Sequence, residues 1–275
     1  MFSAVGAVLA YYGAVVVIGI GIGGAMPEGW RAGPWGTVAA TMPMVLAAGG
    51  VSALIAGRGW ASWRFLGWPP PRASTAALLR GVTTGCAMAA VALLVAVVAG
   101  GAGIAVTGEP ASAYLRAAGP LLAGLASAAL AEELLFRGFP LARLAEPLGK
   151  VSASVLLAVV FAAAHVRNPG VSALGLTNIA LASLVLSAAF FTPGGLPLAW
   201  GVHWGWNGGL AAGADAPVSG LSFHMPAIAF DTGRTAWVTG GGFGPEGGIA
   251  ATVAMALALI WLGRRAAAAG KGESA

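Results

Sequence analysis

Charge is what this chain has least of. Asp, Glu, Lys and Arg make up only 8% of its 275 residues, against 58% hydrophobic, and the mean hydropathy of +0.86 lies far outside the range of water-soluble domains. A single cysteine, Cys86, excludes an internal disulfide framework. No hydrophilic stretch is long enough to form a separate soluble domain, and no internal repeat is visible. The sequence pI near 10.1 invites a nucleic-acid reading, but the fourteen basic residues are scattered singly or gather at the ends of apolar runs, where they act as topology signals. These features describe one polytopic, all-helical membrane domain over residues 1–275, with the lipid bilayer as its solvent and no nucleic-acid partner.

A spanning helix needs about 20 apolar residues. On that scale eight runs are expected, at 4–24, 35–57, 76–106, 117–146, 151–166, 171–191, 197–212 and 249–263. The first has no basic stretch before it and is read as a retained helix, not a cleaved leader. Arg58, Arg64, Arg72 and Arg80 flank the second connection, Arg143 and Lys150 the fourth, and Arg264, Arg265 and Lys271 follow the last run. Alternate connections are neutral or acidic, so the positive-inside rule predicts a multi-pass cell-membrane protein with both termini cytoplasmic. Residues 213–248, rich in Gly and Pro, are expected to form an irregular extramembrane loop, with the Gly240–Gly248 run flexible. Trp30, Trp35, Trp60, Trp63 and Trp68 sit near run ends as interfacial anchors do. Gly19 to Gly24 fits a dinucleotide fingerprint on paper, but no strand precedes it and helix packing explains it better.

Against this background Glu132 and Glu133 stand out. Seven of the nine acidic residues (Glu28, Glu109, Glu146, Asp215, Asp231, Glu246, Glu273) fall in or beside candidate loops, whereas these two lie inside an apolar run. A carboxylate in hydrocarbon costs several kcal/mol, about 3 on insertion scales, unless it is paired, protonated or facing a wet cavity. Glu133 and Arg137 share a helix face at i, i+4, which would neutralise one carboxylate and leave Glu132 for chemistry. Two of the three histidines, His165 and His203, also lie in apolar runs, while His224 falls in the long loop. If 146–150 (EPLGK) is the turn of a helical hairpin, Glu132 and His165 are equidistant from its middle, and antiparallel helices rising about 1.5 Å per residue would hold them at one depth. His203 and Asn207 share a face at i, i+4. Gly201, Gly205 and Gly209 form a ridge roughly 200° away, which leaves one face for close packing and the other for a cavity.

Glu132-Glu133-x-x-x-Arg137, Phe161-x-x-x-His165 and His203-x-x-x-Asn207, in that order and each on an apolar run, resemble the three motifs of the CPBP intramembrane protease family. That family includes the type II CAAX prenyl endopeptidases and the bacteriocin self-immunity proteins. The resemblance covers residues 117–212, the expected protease core, with no departure inside the motifs. It implies an endopeptidase acting on a membrane-embedded or lipidated peptide: Glu132 and His165 match the pair that activates water, and His203 and Asn207 match the pair that stabilises the oxyanion. Glu133, Arg137 and Phe161 match supporting positions.

No cofactor is expected, since these residues can supply a metal-independent, glutamate-activated water. The alternative is a catalytic zinc held by Glu132, His165 and His203, a ligand set of the right kind, although no H-E-x-x-H pair is present. Two other classes share these residues: a non-catalytic scaffold or immunity-type protein, and an ion or proton transporter using Glu132 and the histidines as a relay. The amide of Asn207 favours the peptidase, since a relay has no use for it there.

Overall fold

The computed structural model describes residues 2–272; Glu273 lies outside them, as do the side chains of Trp60 and Lys271. In chain order the elements are helices α1 (Phe2–Ala25), α2 (Gly36–Ala56), α3 (Trp60–Phe65) and α4 (Pro71–Gly100), strand β1 (Gly103–Val106), helices α5 (Ala111–Phe136), α6 (Phe139–Leu148), α7 (Lys150–Ala164), α8 (Ala173–Phe191) and α9 (Gly195–Ala214), strand β2 (Ile228–Asp231), and helices α10 (Ala236–Thr239) and α11 (Ile249–Gly272). Among the described residues five candidate spans are long and apolar enough to cross a membrane: α1, α2, α4, the Ala111–Leu148 stretch and α8. Apolar side chains of α1, α2, α4 and α11 face outward in large number, Leu9, Leu54, Leu94 and Leu257 among them. A bilayer rewards that arrangement where water would not.

The tightest packing in the bundle is between α4 and α9, and small residues are the reason. Gly201 and Gly205 press directly on the α4 backbone at Leu78 to Val82, so a Cβ at either position has no room. From the other side Gly81 and Gly85 do the same against α9, and Gly209 faces Ala89. The glycine ridge of α9 therefore meets a matching small-residue stripe on α4, which lets the backbones approach without a hydrophobic driving force. Another flank of α9 is fastened to α5 by two indoles: Trp200 donates to the Ala126 carbonyl at 2.8 Å and Trp204 to the Leu122 carbonyl at 3.0 Å.

Three expectations are corrected. Residues 103–106, expected as the end of a helix, form β1, which pairs antiparallel with β2 from Gly103↔Asp231 to Val106↔Ile228; Gly101, in the left-handed conformation, ends α4 before them. The 117–146 run is not one helix. It breaks at Arg137 and Gly138, where both backbone N–H groups donate to the Glu133 carbonyl at 2.8 and 3.0 Å. That arrangement frees the carbonyls of Leu134 and Leu135, and two adjacent tyrosines of α1 satisfy them: Tyr11 donates to Leu134 at 3.1 Å and Tyr12 to Leu135 at 2.9 Å. The premise of the equal-depth argument is thereby removed, because the turn at Gly149 joins α6 to α7 and not α5 to α7.

The third correction concerns Gly240–Gly248, which is packed and not a flexible loop. Phe243 is fully buried and Glu246 nearly so. Gly240 and Gly244 adopt φ of 84° and 85°, and a Cβ at either would collide with a backbone carbonyl, that of Gly244 or Pro217. Glycine is used there for conformations and close approaches closed to other residues. More of the 215–248 segment is tied to the bundle: Asp215 accepts from the Met225 N–H at 2.7 Å and Asn168 donates to the Ser219 carbonyl at 2.9 Å.

Candidate active site

Glu132, His165, His203 and Asn207 line a single cavity of about 490 Å³, together with Phe136 and Phe161. Packing of α7 on α8, of α8 on α9 and of α9 on α5 brings them together. Glu132 is on α5, His165 lies one residue past the end of α7, and His203 and Asn207 occupy the face of α9 left over by the glycine ridge and the indoles.

The Glu133–Arg137 pair forms as the spacing predicts, with Nη1 3.1 Å from Oε1 and both side chains fully buried. Arg137 also donates to the Ser183 hydroxyl at 2.8 Å and the Ser183 carbonyl at 3.2 Å on α8, and its guanidinium lies 4.6 Å over the Phe161 ring. The pair has a third member that spacing alone did not reveal. His203 Nδ1 is 2.9 Å from the same Glu133 oxygen. Glu133 thus sits between a guanidinium and an imidazole, orienting the His203 ring so that Nε2 points toward Glu132, whose Oε2 is 3.8 Å away.

Glu132 is half-buried, and its Oε2 has no protein hydrogen-bond partner among the described residues. It is an acceptor facing the cavity. His165 Nδ1 is 2.8 Å from the Phe161 carbonyl, and its ring packs on Phe161 at 4.7 Å between centroids. A carbonyl can only accept, so Nδ1 carries the proton and Nε2 is left as the basic nitrogen. His224 is an exposed loop residue.

Among the described residues no group of three or more His, Cys, Asp or Glu is gathered as a metal ion would require.

Sequence reasoning did not single out Tyr11, Tyr12, Ser183, Asn178 or Glu246. The first four carry a visible signal, being polar groups inside apolar runs. Glu246 carries none, because a carboxylate in a Gly/Pro-rich stretch reads as solvated; yet it is buried and lines the same cavity.

No curated protein and no solved structure matches the chain. Residues 115–209 match the family model for type II CAAX prenyl endopeptidase Rce1-like, a span that holds all three motifs. That likeness covers part of the chain and is consistent with the CPBP resemblance of the three motifs.

Proposed function

We propose that this protein is an intramembrane endopeptidase that hydrolyses a peptide bond of a membrane-embedded or lipidated substrate by direct attack of water. The observation that carries the reading is a free carboxylate acceptor, two oriented imidazoles and an amide around one mostly apolar cavity. Glu132, assisted by His165 Nε2, takes a proton from water as its oxygen attacks the carbonyl carbon; a partly desolvated carboxylate suits that task. The carbonyl π electrons move onto oxygen, and His203 and Asn207 donate to the resulting oxyanion. Collapse of the tetrahedral intermediate breaks the C–N bond, and the proton held by Glu132 passes to the departing amine.

The Glu133 contact defines the state in which His203 can do this. With Nδ1–H given to Glu133, Nε2 donates to an oxyanion only when the ring carries both protons. Removing one oxyanion donor costs about 100-fold or more in other acyl-transfer enzymes.

The test is cleavage by the purified protein, reconstituted in lipid, of prenylated peptides and their unlipidated counterparts, followed by mass spectrometry. Wild type is expected to release defined fragments and Glu132→Ala none. Fragments released at equal rates by both would overturn the assignment, and so would the absence of cleavage in both peptide classes.

A further inference from the structure

Glu246 is a buried carboxylate with no part in the reaction above, and both of its oxygens are met by hydrogen-bond donors. Oε1 accepts from the Trp206 indole at 2.8 Å. Oε2 accepts from the Ser219 hydroxyl at 2.9 Å and from the Ser219 backbone N–H. No Lys, Arg or His is paired with it among the described residues. Its backbone is clamped as well: the Asn178 amide on α8, itself oriented by a 2.7 Å hydrogen bond from Thr252, donates to the carbonyls of Glu246 and Gly248 at 2.8 Å each. Asn178 and Glu246 are both almost completely buried.

What the carboxylate joins gives it meaning. Trp206 belongs to α9, directly before Asn207, and Ser219 to the segment that crosses from α9 toward β2; both line the cavity, as do Val218 and Phe223 of that segment. One side chain therefore ties a wall made by the crossing segment to the helix bearing His203 and Asn207. We propose that Glu246 is a positioning residue: its carboxylate fastens residues 215–248 to α9 and so sets the wall against which the peptide substrate is seated. This rests on the peptidase reading for the identity of the occupant, but not for the fastening.

The chemistry explains why a carboxylate is used. All three hydrogen bonds need acceptors, and a glutamine offers an acceptor at only one end. Its NH₂ would face either the indole N–H or the two Ser219 donors, so the amide keeps part of the set and alanine keeps none.

Two measurements on the full chain in lipid nanodiscs test this. The first is hydrogen–deuterium exchange of wild type, Glu246→Ala, Glu246→Gln and Ser219→Ala, which needs no substrate. Exchange across 216–225 and 238–247 is expected to rise about tenfold or more in the alanine variant, since hydrogen bonds to a charged group are the strong ones. The rise should be smaller in Glu246→Gln and Ser219→Ala, and peptides from α5 and α7 should be unchanged. Unaltered exchange across those two stretches in Glu246→Ala would overturn the fastening, whatever the protein's activity. The second is steady-state cleavage: KM is expected to rise about tenfold in Glu246→Ala with kcat within about twofold, and to be partly restored in Glu246→Gln. A fall in kcat at unchanged KM, or unchanged kinetics per folded molecule, would overturn the positioning role and leave Glu246 as a stabiliser of the fold.

Discussion

Glu133 shows what a sequence says about a single residue and what it withholds. The i, i+4 spacing to Arg137 is legible because one helix turn fixes it, and the pair forms at 3.1 Å. The contact with His203, seventy positions away, depends on how α5 and α9 pack and leaves no local trace. Exchanging Glu133 for Gln keeps an acceptor for His203 but removes the charge beside two bases. That variant should insert and fold yet lose about 100-fold or more in kcat, the scale of one lost oxyanion donor, and kcat at wild-type level would mean that the charged His203 ring is not needed. Asn207→Ala should lose about as much through the second donor. Both are read from the same reconstituted cleavage assay.

Among elements, helices were legible from apolar length, and their interruptions were not. The fourth run reads as continuous because the residues on either side of Arg137 and Gly138 are apolar; the break depends on Gly138 and on tyrosine hydroxyls arriving from α1. Strand β1 was hidden for a similar reason, since Ile104 to Val106 extends an apolar stretch and only the distant β2 gives it a partner. The α4–α9 seam was half visible, through the α9 ridge but not the α4 stripe. Gly205→Val should drive these backbones apart and lower the detergent melting temperature sharply, whereas Gly213→Val, where a Cβ meets nothing within 4 Å, should leave it near wild type. Similar melting temperatures for the two would refute the seam. Arg137→Ala should destabilise by about 3–5 kcal/mol, the cost of stranding one member of a buried pair. That loss should exceed the effect of Glu132→Ala, because Glu132 is half-buried and faces the cavity; equal thermal or denaturant stability would argue that Glu133 and Arg137 are not energetically coupled.

For the whole molecule, membrane residence and the bundle follow from composition, and the motif residues follow from polarity out of place. The role of 215–248 did not, because a Gly- and Pro-rich stretch has the same composition whether it waves in solvent or is pinned by Asp215, Asn168 and Glu246. What the assembled molecule does is tested most directly in the membrane that holds its substrate. Membrane-associated peptides would be profiled by mass spectrometry in cells carrying wild type and in cells carrying Glu132→Ala at matched expression. The account predicts at least one membrane-bound or lipidated protein that is shortened in wild-type cells and accumulates uncut with Glu132→Ala, with the same loss in His165→Ala. Identical peptide profiles in wild-type and Glu132→Ala cells would contradict it.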